Sequence, residues 1–383
     1  MKICILTPRF PVPENGGDVL RINHIARYLK SQGHELLLVS FYENKVDIEE
    51  ARKLYDEIFL VKHKKIASYI YALMFFFAGK PMQCGYYYSK SFQRKFRNVI
   101  KQERPDRFIA HLLRTVPYLE KEGLYAESTV EMTDALSRTY TMTSKAKGSL
   151  LKKIVYFFER SLIRAYENHV VKVFPKVVLV SQTDIDYLNK RGQALSLVLH
   201  TNGVSCSDVL PEKINPNKIC FIGNMRTLQN QDAVLWFVKD IFPVILKYNP
   251  NAVFYIVGAE PSREILALEN NKNIIVTGFV DDLAGVISDS CVAVAPIRIA
   301  AGIQNKVLVA MGCGIPVIMT SLISKAVPEL RNNENCFICD DENSFAKVYI
   351  EIMKDVKLRN KIRKNGFDMV QEHYSWNEKL NGY

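Results

Sequence analysis

Short apolar runs alternate with amphipathic stretches along most of this 383-residue chain. The first apolar run covers residues 2–7, and a loop rich in proline and glycine follows it. Apolar residues then recur at helical spacing over 19–32, and a second apolar run covers 35–42. Apolar runs that alternate with amphipathic helices are typical of βαβ units. The pattern therefore predicts the start of a doubly wound parallel sheet.

The alternation continues to the end of the chain. In the N-terminal half the predicted strands are 58–61, 107–110, 128–132 and 177–180, and the predicted helices are 46–55, 91–102 and 150–173. A second series has predicted strands at 218–222, 252–257, 274–277, 292–296 and from 315, with a helix at 232–248. The fold class is therefore α/β, with two Rossmann-like domains, 1–205 and 206–383, that face a cleft. We expect the last helix to pack back on the first domain.

Composition narrows the class of protein. A hydrophobic content of 48% with 24% charged residues is that of a globular protein. The net charge of +11 indicates an anionic partner, which leaves nucleic acid, anionic lipid and phosphorylated substrates open. The longest apolar stretch, 66–78, has about 13 residues, fewer than a bilayer-spanning helix needs. The eight cysteines are expected to be reduced thiols rather than zinc ligands.

The segment 301–317 gives the clearest indication of chemistry. A turn at Ala301-Gly302 precedes a predicted short helix that ends at Gly312 and Gly314. Free backbone N–H groups of 303–306 at the helix N-terminus favour an anion such as a diphosphate, and Lys306 adds a positive charge. The alternative is a plain connection between a helix and a strand.

Seven short motifs occur in a consistent order along the chain. They are Pro11-x-Pro13-x-x-Gly16-Gly17, Gly33-His34-Glu35, Thr201-Asn202-Gly203-Val204, Phe221-Ile222-Gly223-Asn224-Met225, Thr277-Gly278-Phe279-Val280-Asp281-Asp282, Gly302-Ile303-Gln304-Asn305-Lys306-Val307-Leu308 and Tyr374-Ser375-Trp376. Together they resemble the GT-B glycosyltransferases of the retaining, family-4 type, and within them the bacterial polysaccharide and O-antigen sugar transferases. The resemblance covers essentially the whole chain. It implies a nucleotide-sugar donor held by the C-terminal domain and a glycan acceptor held by the N-terminal domain.

One departure from the family pattern affects the donor site. Members usually carry two glutamates eight residues apart around the helix that follows the glycine turn, and the second binds the ribose hydroxyls. Here these positions are Ala301 and Val309. Valine cannot accept a hydrogen bond, and the loss of such contacts costs roughly 1–3 kcal/mol unless another group compensates.

Four residues are candidates for catalysis: His111, Asp134, Arg226 and Lys306. The resemblance implies that His111 contacts the donor sugar, and Asp134 is expected to orient an acceptor hydroxyl. Their alternatives are a structural histidine and a helix N-cap. Arg226 and Lys306 are expected to stabilise the departing diphosphate, with solvated surface cations as the alternative.

The residues expected to bind the donor lie in loops after predicted strands. They are Gly16, Gly17, Gly223, Asn224, Arg226, Arg298, Gly302, Ile303, Gln304, Asn305 and Lys306. The two adjacent glycines at 16 and 17 allow close approach of a ligand, or form a tight turn. No cofactor and no metal is expected, since cations and a helix N-terminus stabilise the diphosphate in this family. We interpret Asp281 and Asp282 as a polar loop start.

Basic residues interleaved with aromatic ones suggest a membrane partner. Tyr86-Tyr87-Tyr88 precedes five basic residues within 90–101, and the stretch 145–176 holds eight basic and two acidic residues. Such faces attract anionic lipid headgroups or nucleic acid, and the alternative is a solvated face over core aromatics. Since relatives often use lipid-linked acceptors, we expect an anionic membrane surface and no nucleic acid.

The sequence therefore predicts a cytoplasmic glycosyltransferase, peripheral to the inner face of the plasma membrane. It would move a hexose-type sugar from a nucleoside diphosphate sugar to a hydroxyl of a lipid-linked bacterial glycan, such as lipopolysaccharide or capsule, with retention. The main alternative is a non-catalytic glycosyltransferase-like subunit of a polysaccharide assembly complex, which the absent glutamates favour. A sugar-phosphate epimerase and a nucleic-acid-binding protein fit fewer of the motifs.

Overall fold

The chain divides into two compact units. Unit 1 comprises Met1–Asn202 with Leu380–Tyr383, and unit 2 comprises Gly203–Lys379. The computed structural model describes residues 1–14, 16–143, 150–189, 196–205, 207, 209–298, 304–325 and 327–383, with the backbone alone at 142–143 and 150–157.

Unit 1 is built on a parallel sheet of seven strands in the order β3-β2-β1-β4-β5-β6-β7. The order reverses between β1 and β4, and such a switch point is where open α/β sheets bind ligands. Its elements in chain order are β1 (Lys2–Thr7), α1 (Gly17–Ser31), β2 (Glu35–Tyr42), α2 (Ile48–Arg52), β3 (Glu57–Lys62), α3 (Lys65–Phe77), α4 (Met82–Tyr86), α5 (Lys90–Glu103), β4 (Arg107–His111), α6 (Val116–Glu122), β5 (Ser128–Thr133), α7 (Leu136–Thr143), α8 (Leu150–Val173), β6 (Lys176–Leu179), α9 (Gln182–Leu188) and β7 (Leu197–Leu199), with a 3₁₀ turn at Leu113–Thr115.

Unit 2 repeats this plan with a parallel sheet of six strands in the order β10-β9-β8-β11-β12-β13. Its switch point lies between β8 and β11. Its elements in chain order are β8 (Asn215–Ile222), α10 (Leu228–Trp236), α11 (Phe242–Tyr248), β9 (Val253–Val257), α12 (Arg263–Leu266), β10 (Ile274–Gly278), α13 (Leu283–Ile287), β11 (Ser290–Ala295), α14 (Asn305–Gly312), β12 (Val317–Met319), α15 (Ser321–Ser324), β13 (Phe337–Ile338), α16 (Glu342–Lys354), α17 (Val356–Tyr374) and α18 (Trp376–Lys379), with a π-helical segment at Phe237–Ile241 and a 3₁₀ turn at Ala267–Asn270.

The predicted fold class of two doubly wound α/β units is confirmed. The central strands are apolar on both faces, as β1 and β2 show, because both faces of a parallel sheet are covered. The face that α1 buries contains the apolar residues that recur at helical spacing in the sequence. Each unit thus places the loops that follow its strands at one edge of its own sheet.

The helix predicted over 232–248 is interrupted in the structure. It begins at Leu228 and passes through the π-helical segment Phe237–Ile241 before α11 continues to Tyr248. Pro243 lies at the start of α11 and has no N–H group to donate to the preceding turn. The missing donor explains why the α-helical hydrogen-bond pattern shifts there.

The seven cysteines that the structure describes are free and buried. Cys336 and Cys339 have Cys-x-x-Cys spacing, yet burial raises the pKa of Cys336 to about 12 and raises that of Cys339 as well. Protonated buried thiols behave as small apolar side chains rather than as nucleophiles. Among the residues described, none of the helices has the length and apolarity that crossing a membrane requires.

Candidate functional site

Lys306 is the central side chain at the switch point of unit 2. It lies in the first turn of α14, and its ammonium group donates a hydrogen bond to Oδ1 of Asn230. Nδ2 of Asn230 in turn donates to the carbonyl oxygen of Asn224 at 2.7 Å. The ammonium nitrogen also lies 5.0 Å from the centre of the Phe221 ring. Burial lowers the pKa of Lys306 to about 8, so the side chain is mostly protonated at neutral pH.

Two glycines let the neighbouring loops pack tightly against this amide. A Cβ atom on Gly258 would lie 1.8 Å from the carbonyl oxygen of Gly223, and the φ angle of Gly258 is 149°. A Cβ atom on Gly223 would lie 2.6 Å from Nδ2 of Asn230. Only glycine fits at these positions without displacing the backbone or the amide. The loops after β8 and β9 therefore fix the position of Asn230, and through it that of Lys306.

The start of α14 is the second element of this site. The helix begins at Asn305, and the buried Gln304 before it makes no side-chain cap. The N–H groups in the first turn of a helix have no acceptor within the helix, and they favour an anion. Gln304, Asn305 and Lys306 are therefore the part of the predicted phosphate-binding segment that the structure describes. Gly302 and Ile303 lie outside the described residues.

The structure gives the two predicted arginines different surroundings. Arg298 pairs with Asp232 at 2.6 Å between Nη2 and Oδ1, and its guanidinium lies 4.9 Å from the centre of the Trp236 ring. This carboxylate already compensates the charge, which favours the surface-cation interpretation of Arg298. Arg226 is 78% exposed and lies 3.5 Å from Glu260, and exposed pairs of this kind cost little to separate.

Val309 lies one turn after Lys306, on the same face of α14. It is half-buried and packs against the core of unit 2. Its side chain offers no hydrogen-bond acceptor at the position where the resemblance implies a ribose-binding carboxylate.

His111 ends β4 at the switch point of unit 1. The side chain is buried, and neither ring nitrogen has a hydrogen-bond partner among the described residues. Burial lowers the pKa of His111 to about 3, and the nearby guanidinium group of Arg21 contributes in the same direction. The ring is therefore neutral at physiological pH, with one donor and one acceptor unused.

The ends of β4 and β5 share an unusual backbone conformation. Leu112, directly after His111, has a φ angle of 66°, and Thr133, directly before Asp134, has one of 67°. Left-handed conformations at branched residues are strained, and such strain concentrates at functional sites. Asp134 is an exposed residue, but partial desolvation of its carboxyl group, followed by the charge of Asp184, raises its pKa.

The two adjacent glycines before α1 differ in what they require. Gly16 has a φ angle of 109°, and a Cβ atom there would lie 2.9 Å from Nη2 of Arg9. A Cβ atom on Gly17 would meet open space. In the first turn of α1, Asp18 forms an ion pair with Arg9. The backbone conformation therefore requires glycine at position 16 but not at position 17.

The sequence analysis missed the buried cluster that supports this edge of unit 1. Arg21 of α1 pairs with Glu131 of β5 at 2.9 Å, and both side chains are fully buried. The guanidinium also donates to Oδ1 of Asn202 at 2.9 Å, and the Tyr383 hydroxyl donates to Glu131 at 3.0 Å. One signal was present in the sequence: the helical pattern places Arg21 on the apolar face of its helix, four residues before Ile25.

Comparisons with known proteins agree with the two-unit α/β fold. Residues 216–355 match the family model described as Glycosyl transferases group 1. The chain is 23% identical to an uncharacterized 44.6 kDa protein in the cps region of Klebsiella pneumoniae, over 97% of this chain and 96% of that protein. The solved structure of Anabaena Alr3699/HepE in complex with UDP-glucose is similar with a TM-score of 0.60 and 12% identity, over 100% of this chain and 98% of that one. WaaG, a glycosyltransferase involved in lipopolysaccharide biosynthesis, is similar with a TM-score of 0.57 and 12% identity, over 99% and 98% of the two chains.

The fold is that of the GT-B glycosyltransferase structures, which confirms the resemblance found in the sequence. Within unit 2, residues 216–355 are similar to the glycosyl transferases group 1.

Proposed function

We propose that this protein transfers a hexose-type sugar from a nucleoside diphosphate sugar to a hydroxyl of a lipid-linked bacterial surface glycan, with retention of the anomeric configuration. The observation that carries the proposal is the lysine at the first turn of α14, held in place by Asn230. The similar proteins support the substrate classes, since one binds UDP-glucose, one acts in lipopolysaccharide biosynthesis and one is encoded in a cps region.

The chemistry assigned to unit 2 is stabilisation of the leaving group. The bond between the anomeric carbon and the diphosphate oxygen breaks, and negative charge builds up on the diphosphate. Lys306, Arg226 and the first-turn N–H groups of α14 are the groups that stabilise this charge. The acceptor oxygen attacks from the same face, and its proton passes to the departing phosphate oxygen. A metal has no part in this scheme.

The roles assigned to unit 1 concern the sugars. A neutral His111 suits hydrogen bonding to a sugar hydroxyl, since an imidazole with a pKa of about 3 is a poor general acid or base at neutral pH. Its unused donor and acceptor are the supporting observation. Asp134 is assigned the orientation of the acceptor hydroxyl. In this proposal the enzyme works in the cytoplasm, at the inner face of the plasma membrane where lipid-linked acceptors are elongated.

A donor screen tests the proposal directly. We expect at least one UDP- or GDP-sugar to raise the melting temperature of the full-length protein, since a ligand at 100 times its Kd stabilises by about 2.7 kcal/mol. The same nucleotide sugar is expected to be hydrolysed slowly without acceptor. If no nucleotide sugar shifts the melting curve or is consumed, with or without glycan acceptor, the enzyme proposal is wrong.

A second candidate, a non-catalytic subunit of a polysaccharide assembly complex, is favoured by Val309 alone. Without the ribose-binding carboxylate, donor binding could fall below the level that catalysis requires. In that case the wild-type protein would bind no nucleotide sugar in the donor screen.

The Val309→Glu variant tests whether a carboxylate at this position would bind the ribose of the donor. We expect it to bind the preferred nucleotide about tenfold more tightly, because a hydrogen bond to a charged acceptor contributes about 1.5–3 kcal/mol. Isothermal titration calorimetry measures the affinity, and Val356→Glu on α17 is the matched control. Unchanged affinity in Val309→Glu would show that another group holds the ribose.

A further inference from the structure

Six large apolar side chains lie in solvent along one face of α3. The spacing of three and four residues places them on the same side of the helix. Ser68 and Ala72 on the opposite side are buried, and Tyr71 and Phe75 contact the buried Tyr88. A contiguous apolar surface of this kind marks an interaction site. Its members, each more than half exposed, are Ile66, Tyr69, Ile70, Leu73, Met74 and Phe77.

Lysine side chains flank this apolar face of α3 at both ends of the helix. The helix itself contains no Asp or Glu over 65–77. Lys65 pairs with Glu43, and Lys80 lies 3.7 Å from Glu120, so part of this charge is balanced within unit 1. Lys62 and Lys64 take part in none of the ion pairs formed by the described residues. The exposed lysines that flank the face are Lys62, Lys64, Lys65 and Lys80.

The dimensions of the helix exclude a transmembrane orientation and favour one in the plane of the surface. Its 13 residues extend for about 20 Å at 1.5 Å per residue, whereas the hydrocarbon core is about 30 Å thick. An interfacial helix inserts its apolar face about 5–10 Å, to the boundary between headgroups and acyl chains, while flanking lysines reach the headgroups.

A second copy of this chain fits the same face less well. Two-fold pairing brings the same surface of both copies together. An arrangement that brings the N-terminal ends of two α3 helices together would set Lys62 and Lys64 of the two copies against each other. An anionic lipid surface complements these lysines instead.

The tyrosines that the sequence analysis assigned to a membrane surface do not provide it. Tyr88 is buried and stacks on Tyr118 at 5.4 Å between ring centres, and Tyr87 stacks on His63 at 5.5 Å. Tyr71 and Phe75 on the inner side of α3 contact Tyr88, so these rings are part of the core of unit 1. The apolar face of α3 is therefore the surface that matches a bilayer.

We propose that α3 docks the protein on a bilayer rich in anionic phospholipid, with the apolar face of the helix in the acyl-chain boundary and the flanking lysines at the headgroups. This inference rests on the proposed function, which places the enzyme at a membrane, and deepens it by assigning the surface that docks. Donor binding involves unit 2, so vesicle binding and donor binding are measured independently.

Flotation of the full-length protein with vesicles tests this docking. We expect the wild type to float with vesicles of phosphatidylcholine mixed with phosphatidylglycerol, and more weakly with phosphatidylcholine alone. The variant Ile70→Glu/Leu73→Glu is expected to lose about tenfold or more in partitioning, because two apolar contacts become charged. Leu266→Glu/Val356→Glu changes the charge equally at exposed sites in unit 2, and is expected to float like the wild type.

The outcomes of these experiments distinguish membrane docking by α3 from the alternative that a second copy of the chain covers the same face. Wild-type protein that does not float, or an α3 variant that floats as well as the wild type, would overturn the proposal. Sedimentation velocity identifies a second copy as the occupant: a wild-type dimer that Ile70→Glu/Leu73→Glu dissociates would overturn it too. The preferred nucleotide sugar should raise the melting temperature of the wild type and the variant equally. An equal shift shows that the variant is folded and still binds the donor, so its loss of flotation reflects the change in α3.

Discussion

Replacing Lys306 with alanine is expected to lower the sugar-transfer rate by about 100- to 1000-fold, the usual effect of removing one preorganised group that stabilises developing charge. The side chain is half-buried against the Phe221 ring and held by Asn230, so its charge acts at a fixed position rather than in free solvent. The measurement is kcat and KM with the preferred donor. Lys347→Ala, at an exposed position of α16, is the matched control and is expected to leave both constants unchanged.

The pKa of Lys306 adds a pH dependence to this expectation. Below pH 8 the ammonium group is already charged, so donor affinity should not depend on pH. Above the pKa of about 8 the free protein must take up a proton to bind the diphosphate, and affinity should fall about tenfold per pH unit. Arginine stays charged throughout, so Lys306→Arg should lack this decline. Donor affinity in the wild type that is constant up to pH 10 would remove Lys306 from the diphosphate site.

The sequence predicted the fold because the fold depends on local patterns. Buried parallel strands are continuous apolar runs, and the helices that cover them show period 3.6, so β1, α1 and β2 could be located closely. The same local pattern was ambiguous at α3. An apolar stripe at helical spacing is normally a core face, and only the tertiary structure reveals that the stripe of α3 faces solvent while Ser68 and Ala72 face inward.

The candidate site was predictable where one motif contains the whole feature. Lys306 and the helix start at Asn305 are adjacent in sequence, so their proximity could be predicted from the motif alone. The pairing of Arg298 with Asp232 joins residues 66 positions apart, and the pairing of Arg21 with Glu131 joins residues 110 apart. Neither spacing corresponds to a turn of any regular element, so no local pattern could reveal either pair.

The second large effect concerns the buried ion pair of unit 1. Arg21→Ala is expected to destabilise unit 1 by about 3–5 kcal/mol, because it leaves the Glu131 carboxylate buried without its counter-charge. Both side chains have no exposed surface, and the only other hydrogen bonds found for this carboxylate among the described residues come from Tyr383 and Thr133. Arg52→Ala removes an exposed pair with Glu49 in the same unit, and is expected to change stability by less than about 0.5 kcal/mol.

The two tryptophans of the chain make the effect of Arg21→Ala assignable to one unit. Trp236 and Trp376 both lie in unit 2, so tryptophan fluorescence follows that unit, whereas circular dichroism follows both. We expect the dichroism transition of unit 1 to fall by about 10 °C while the fluorescence transition stays in place. Arg21→Met/Glu131→Gln removes both charges and should recover most of the loss, since neutral side chains need no counter-charge. If this double variant is as unstable as Arg21→Ala, packing around Arg21 rather than the uncompensated charge sets the stability of unit 1.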